Sequence, residues 1–396
     1  MSAATTSRWS RRYVLAGLAF LLCWQAATLA GATRSVAVAL ALYGFVLHVV
    51  FGKAYALLPT YFDRDLAPGW APAAQWPLSV AGAATLAVGR AGHGPPWLDA
   101  AGATLWGTGV LLFVGALAYT VRDNLSGRAT GTGAANADRR VVDRAANLGM
   151  PVALGYLLAG AYATLAAATR LPPLVDGYPP RATHLLAAGA AALLVFAVGF
   201  RLLPRFLVAH PPRGLVGVVL PAGATAPALL AAGLPAGSTL RAGAALEAVA
   251  VLGFAVAVVV LFARSESRRV ALYGPLAGAL AGVAGVGLGA HAAFGGTLPG
   301  FARAHLRVNL LGFLGLTVVG LLYQFYPPAV GSFPGAADAG ALATLATLAA
   351  AVAFQAGGLL TGVPAATTAG EAAGVLGAAG ALYLVGGLFA ERHGLP

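Results

Sequence analysis

Charged residues and cysteine are scarce in this sequence. Asp, Glu, Lys and Arg make up only 9% of its 396 residues, whereas soluble domains contain about 25%. This scarcity, together with 59% hydrophobic residues, excludes an ordinary soluble protein. The single cysteine, Cys23, excludes a disulfide framework and any zinc or iron–sulfur site made of cysteines. The ligands of a metal or cofactor must therefore be mainly histidines.

The charges that are present are mostly positive. A net charge of +12 would suit a nucleic-acid partner, but the arginines are spread over short segments between apolar runs and do not gather on one soluble face. We therefore expect no nucleic-acid partner. Positive charge spread over short loops is instead typical of membrane proteins, whose cytoplasmic loops are rich in Lys and Arg.

Apolar runs long enough to cross a bilayer, which takes roughly 20 residues, follow one another along the whole chain. They predict an all-α integral membrane protein with a single polytopic domain, residues 1–396, in contact with the lipid bilayer. The first run follows three arginines and also resembles a signal peptide, but the runs after it favour an uncleaved first span. The twelve predicted spans are residues 13–30, 36–58, 74–90, 97–121, 146–168, 182–203, 214–234, 240–263, 270–293, 303–326, 339–360 and 367–390.

The third predicted span, residues 74–90, is the least apolar, and the distribution of charge supports it. With twelve spans and a cytoplasmic N-terminus, most Lys and Arg residues fall on the cytoplasmic side, including the cluster from Arg122 to Arg144. Without the third span that cluster would lie outside, against the positive-inside rule. We therefore predict that both termini are cytoplasmic and that the chain is a multi-pass protein of the plasma membrane.

Three of the spans, the second, sixth and tenth, share one plan, a histidine followed by a proline near the exit. The pairs are His48 and Pro59, His184 and Pro204, and His305 and Pro327. At 1.5 Å per residue along a helix, the first histidine lies about 16 Å from its proline, and the other two lie about 30 Å and 33 Å from theirs. If the prolines mark one cytoplasmic plane, His48 is deep in the membrane and the other two histidines are near its outer face.

Other polar groups fall in the same outer layer. His291 closes the ninth span, Glu247 lies in the first turns of the eighth, Glu371 begins the twelfth, and Arg307 and Asn309 follow the histidine of the tenth. Ionisable groups inside a membrane are costly, so by default they mark a site. The alternative for each histidine is a tolerated amphipathic residue at the interface, and the alternative for an acid near a helix N-terminus is a favourable interaction with the helix dipole.

Two of these segments resemble a known family. The stretch His305-Leu-Arg-Val-Asn-Leu-Leu-Gly-Phe-Leu-Gly-Leu-Thr is similar to the tenth-helix region of the haem-copper oxidase subunit I superfamily. His184-Leu-Leu-Ala-Ala-Gly, followed by Arg201-Leu-Leu-Pro-Arg-Phe, resembles a helix of its NnrS-like branch of haem- and copper-containing membrane proteins. The histidine and proline plan recurs in every fourth span, as expected for the three arcs of four helices in that superfamily. The resemblance implies a haem, with copper as a second metal, and a redox partner.

Departures from the family pattern limit the function that it implies. The tenth span has one histidine, with Arg307 where a second would stand, and the seventh, residues 214–234, has none to bind copper. A complete proton-pumping oxidase is therefore not expected. The resemblance implies instead a haem near the outer face, for electron transfer or for the handling of nitric oxide and other gases. The depth of His48 argues against its sharing one haem with His305, as the corresponding pair does in the oxidases.

The resemblance also implies roles for individual residues. We expect His305 to be the axial haem ligand and His184 the next candidate. The remaining cofactor-binding residues are Arg307, whose charge would pair with a haem propionate, and His48, which would face a second, deeper pocket. A metal would be held by His305, His184 and His291, and these ligands would be oriented by Glu247, Glu371 and Asn309.

Other classes of function remain open from the sequence. One is a cofactor-free small-molecule permease or sensor that uses the outer polar groups as a ligand site, and another is a structural membrane subunit. Broken helices and carboxylates at mid-depth would favour a permease. The sequence offers only the seventh span, with Pro221 and Pro227, as a broken helix, and its membrane carboxylates lie near one face.

Overall fold

The computed structural model describes residues 3–394, and in this part of the chain every regular element is a helix. The prediction of an all-helical protein is confirmed. We number the long helices α1 to α12 in chain order. Their bounds are α1 Ala3–Leu29, α2 Arg34–Tyr61, α3 Ala71–Arg90, α4 Trp97–Thr120, α5 Arg140–Ala168, α6 Pro179–Phe206, α7 Arg213–Gly233, α8 Ser238–Arg264, α9 Tyr273–Ala293, α10 Phe301–Val330, α11 Asp338–Thr361 and α12 Pro364–His393.

Eleven helices within residues 3–394 are long and apolar enough to cross a membrane, and α3 is the exception. With 20 residues, α3 has the required length of about 30 Å, but it is too polar on average. It packs closely on α4, because a Cβ added to Gly102 would lie 2.5 Å from the backbone nitrogen of Leu86. With eleven helices of this kind, the chain has the character of a multi-pass membrane protein in contact with lipid.

Helices α2, α6 and α10 occupy the centre of the bundle. In α2 and α10, 89% of the most apolar window is buried inside the protein, and in α6 78%, whereas the other candidate spans have 39–56% buried. The helices that share the histidine and proline plan are therefore the ones most shielded from lipid. The remaining helices pack around them and present one apolar face outward.

Each central helix contains a π-helical segment, in which the backbone hydrogen bonds run from residue i to i+5. The segments are Ala39–Val46 in α2, Leu185–Ala192 in α6 and Val308–Leu316 in α10, and each contacts the other two. Long π-helical runs are rare and often occur at functional sites. His184 and His305 precede their segments, whereas His48 follows its own. The three histidines are therefore not equivalent in position.

Helix α9 approaches α10 through a row of small residues. A Cβ added to Gly274 would lie 2.5 Å from the Cα of Gly320 and 2.7 Å from the carbonyl oxygen of Leu316. This spacing leaves no room for a side chain, so the two backbones are in direct contact, which small residues allow at the interfaces of membrane helices. Gly287, on another face of α9, has no neighbouring atom within 4 Å of such a Cβ.

We expect Gly274→Ala to destabilise the protein and Gly287→Ala to leave it unchanged or slightly more stable. Alanine at position 274 would force the helices apart, at a cost of about 1–3 kcal/mol, whereas alanine in an open helix position is favoured over glycine by up to about 1 kcal/mol. The stability of both variants is measured as the midpoint of thermal unfolding in detergent, with the loss of folded protein monitored by size-exclusion chromatography. Equal midpoints for the two variants would contradict the close packing of α9 on α10.

Candidate functional site

A cavity of about 300 Å³ lies at the end of the bundle where α2, α6 and α10 begin. We call this end the cavity end. The walls come from α6 to α10, with Arg34 contributed by α2, and most of the lining side chains are Ala, Leu and Val. This volume is at the lower limit of the range for ligand pockets. Ligand pockets typically have apolar walls with a few polar groups, as this cavity does. The polar side chains in the lining include Arg34, Thr183, His184, Glu247, His305 and Asn309.

His184 and His305 face the same cavity as a pair. Their ring centroids lie 6.3 Å apart, and the ring planes are inclined by 23°. Nδ1 of His184 is 2.8 Å from the carbonyl oxygen of Pro180, and Nδ1 of His305 is 3.1 Å from that of Gly285. Because a carbonyl oxygen only accepts, the contact to Pro180 places the proton of His184 on Nδ1 and leaves the lone pair of its Nε2 for a ligand. Nδ1 of His305 is also 3.3 Å from Nδ2 of Asn309, an amide donor, and its Nε2 makes no hydrogen bond within residues 3–394.

Glycines of α9 make room for the polar side chains of α10. A Cβ added to Gly285 would lie 2.5 Å from Oδ1 of Asn309, and one added to Gly289 would lie 3.0 Å from Cε1 of His305. Asn309 Nδ2 donates a hydrogen bond of 2.8 Å to the carbonyl oxygen of His305. The carbonyl of Gly285 and the amide of Asn309 thus fix the position of His305.

The start of α6, which carries His184, is held by an ion pair. Arg181 donates from Nε and Nη2 to the two carboxylate oxygens of Asp176, at 2.7 Å each. These bonds, together with one from the backbone N–H of Tyr178, lower the pKa of Asp176 to about 2. The same guanidinium donates to the carbonyls of Ala231 and Ala232 at the end of α7. Helices α6 and α7 are therefore tied together beside the cavity.

Glu247 and Arg34 line the cavity without an ionic partner among residues 3–394. Oε2 of Glu247 is buried and makes no hydrogen bond. Buried polar atoms are normally paired, and this one lines a cavity in which a water or a ligand can supply the partner. Arg34 is the first residue of α2 and is exposed to solvent.

Arg307 and Glu371 lie outside the cavity lining and pair with each other. Nη2 of Arg307 is 3.3 Å from Oε1 of Glu371, and both side chains are largely buried. Nη1 of Arg307 donates to Gln355 of α11, which in turn donates to Gln25 of α1 across 3.2 Å. These residues join α1, α10, α11 and α12, so the predicted pairing of Arg307 with a haem propionate does not agree with its position.

His291 and His48 also lie apart from the cavity lining. His291 is exposed at the end of α9. His48 is fully buried, with Nδ1 2.9 Å from the carbonyl oxygen of Tyr43 and its ring centroid 5.2 Å from that of Phe20. The structure brings together His184 and His305, with Glu247 and Asn309 in the same cavity, but not His291, Glu371, Arg307 or His48.

Across residues 3–394, no three His, Cys, Asp or Glu side chains come close enough to hold a metal ion. A cofactor with a central metal atom could instead be held by the histidine pair alone. Two imidazoles on opposite sides of such an atom, each at about 2 Å, would have ring centroids roughly 6 Å apart, and the observed separation is 6.3 Å. The apolar walls would contact the rest of such a cofactor.

A second polar group, at the opposite end of the bundle, consists of Asp143 and Asn147 of α5 and Arg201 and Arg205 of α6. We call it the Asp143 cluster. Arg205 donates to both oxygens of Asp143, at 2.7 and 3.1 Å, and Nε of Arg201 is 3.7 Å from Oδ1. Arg201 also donates to Asn147 and lies 4.1 Å from the ring centroid of Tyr61. Each charged side chain of the cluster thus has an ionic partner within it, with two guanidinium groups sharing one carboxylate.

No protein-family model matches the chain, and no curated protein is similar to it in sequence. The resemblance to haem-copper oxidase subunit I therefore stays a prediction. Because a fold alone does not establish a function, the function is argued below from the cavity itself.

We expect Asp143→Asn to destabilise the protein strongly. Two buried or half-buried guanidinium groups would lose their carboxylate, and breaking a buried ion pair from one side costs about 3–5 kcal/mol. Asp123→Asn is the matched control, because Asp123 is exposed and pairs with Arg64 at 2.9 Å on the surface, where ion pairs contribute little. Thermal unfolding of the two variants in detergent tests this. A similar small loss in both would show that the Asp143 cluster is not needed for stability.

Proposed function

We propose that this chain is a haem protein of the membrane, with a bundle like that of haem-copper oxidase subunit I, and that it binds one haem in the cavity. The observation that carries the proposal is the pair of histidines whose Nε2 atoms are free and whose ring separation suits one shared metal atom. His305 and His184 would be the axial ligands. The place of both on central helices, four helices apart in the chain, supports the family resemblance.

The residues around the cavity have separable tasks in this proposal. The carbonyl oxygens of Gly285 and Pro180 contact Nδ1 of the two rings, which orients each imidazole. The Ala, Leu and Val walls exclude water and lower the local dielectric constant. When bound, haem supplies one-electron transfer and, at an open axial position, the binding of diatomic gases.

The paired arrangement favours electron transfer over the handling of nitric oxide. Two imidazoles would fill both axial positions, and a diatomic ligand needs one of them open. Copper is not part of the proposal, because in the described chain no third side chain of a metal-binding type joins the two histidines. The redox partner and the plasma-membrane location stay predictions from the sequence.

A second candidate function is supported by the two unpaired charges. Arg34 and Glu247 both line the cavity, and one oxygen of Glu247 has no partner. A small molecule with an acidic group and a hydrogen-bond donor, such as an amino acid, would complement them. This favours a permease or sensor among the cofactor-free alternatives, and a colourless protein would support it.

The reduced-minus-oxidised absorption spectrum of the protein, purified in detergent after expression with a haem precursor, tests the proposal. We expect a haem band with one iron per chain, and we expect His305→Ala and His184→Ala to lose or alter it because each removes an axial ligand. His291→Ala is the matched control, since His291 is at the same end but outside the cavity.

The outcomes separate the candidate functions. Loss of the low-spin spectrum in both cavity variants, with the control unchanged, supports electron transfer through a haem with two histidine ligands. A haem spectrum that survives His184→Ala, together with carbon monoxide binding by the wild-type protein, would favour gas handling. A folded wild-type protein without iron or colour would overturn the haem proposal.

A further inference from the structure

Arg34 is the only cationic Lys or Arg side chain among the described residues that line the cavity, and it is unpaired. It forms no hydrogen bond or ion pair within residues 3–394. Of the other arginines at this end, Arg170, Arg241 and Arg303 are exposed and do not line the cavity, and three more are held in ion pairs. Arg307 pairs with Glu371, Arg181 with Asp176 and Arg90 with Asp99. A positive charge without a partner is thus present at the one place where a bound ligand would meet it.

We propose that Arg34 binds an acidic group of the ligand in this cavity, and that in the haem protein this group is a propionate carboxylate. The inference rests on the proposed function and names the residue that orients the haem. An acidic group held by Arg34 would lie at the start of α2, where this side chain is exposed to solvent. Arg34 takes the role that the sequence suggested for Arg307.

The chemistry of arginine suits this role. Its planar guanidinium presents parallel N–H groups that match the two oxygens of a carboxylate. The apolar cavity wall shields such a pair from water on one side, which strengthens it relative to a fully exposed pair. Because Arg34 itself is exposed, we expect a moderate effect, about 3- to 10-fold in affinity.

Binding of two porphyrins to the purified apoprotein tests the inference. One is iron protoporphyrin, and the other is its dimethyl ester, in which both carboxylates are masked. Arg34→Gln should weaken the binding of iron protoporphyrin about 3- to 10-fold and leave the binding of the ester unchanged. Arg34→Lys keeps the charge but not the planar fork, so it should retain part of the affinity.

Arg303→Gln is the matched control. Arg303 is exposed in the first turn of α10, near His305, but it does not line the cavity, so the variant should bind both porphyrins as the wild type does. Thermal unfolding of each variant shows that it is folded. An equal loss for both porphyrins in Arg34→Gln, or no loss for either, would overturn the role of Arg34 while leaving haem binding intact. A wild-type protein that binds neither porphyrin would overturn the proposed function and this inference together.

Discussion

Contact among α2, α6 and α10 at the centre of the bundle determines where everything else in this protein lies. Their π-helical segments meet one another, so the starts of the three helices are brought to the same end. Arg34, His184 and His305 come from those starts and therefore share one cavity. The outer helices close its walls, and the glycines of α9 allow the histidine of α10 to turn inward. The site is thus a direct result of how the central helices pack.

The polar groups of the bundle fall into two kinds. Each charged residue of the Asp143 cluster, and each member of the pair Arg307–Glu371, has an ionic partner on another helix. In an apolar environment an uncompensated charge is costly, so these groups are explained by the packing of the helices alone. The two charged side chains of the cavity, Arg34 and Glu247, have no ion-pair partner among residues 3–394. The absence of a charged partner separates them from the Asp143 cluster and from Arg307 and Glu371.

Much of the fold, and about half of the site, could be predicted from the sequence. The lengths of the apolar runs predicted the helices. The plan shared by the spans of His184 and His305 marked two central helices that meet at the cavity. The roles of Arg307 and His291 could not be predicted, because a residue's partner depends on which helices are neighbours. Helical periodicity does not contain that information. The sequence does contain a signal for Arg34. This residue begins α2, which shares the histidine and proline plan of α6 and α10, and it therefore lies at the same end as His184 and His305.

The low apolarity of α3 has a consequence for the synthesis of the protein. A helix enters the bilayer on its own only if its side chains favour lipid over water, and α3 is the one long helix in the described chain that does not meet this condition by composition. Its contact with α4 through Gly102 and Leu86 shields its backbone from lipid. We therefore expect α3 to enter the bilayer together with α4, as a hairpin, and not as a single helix.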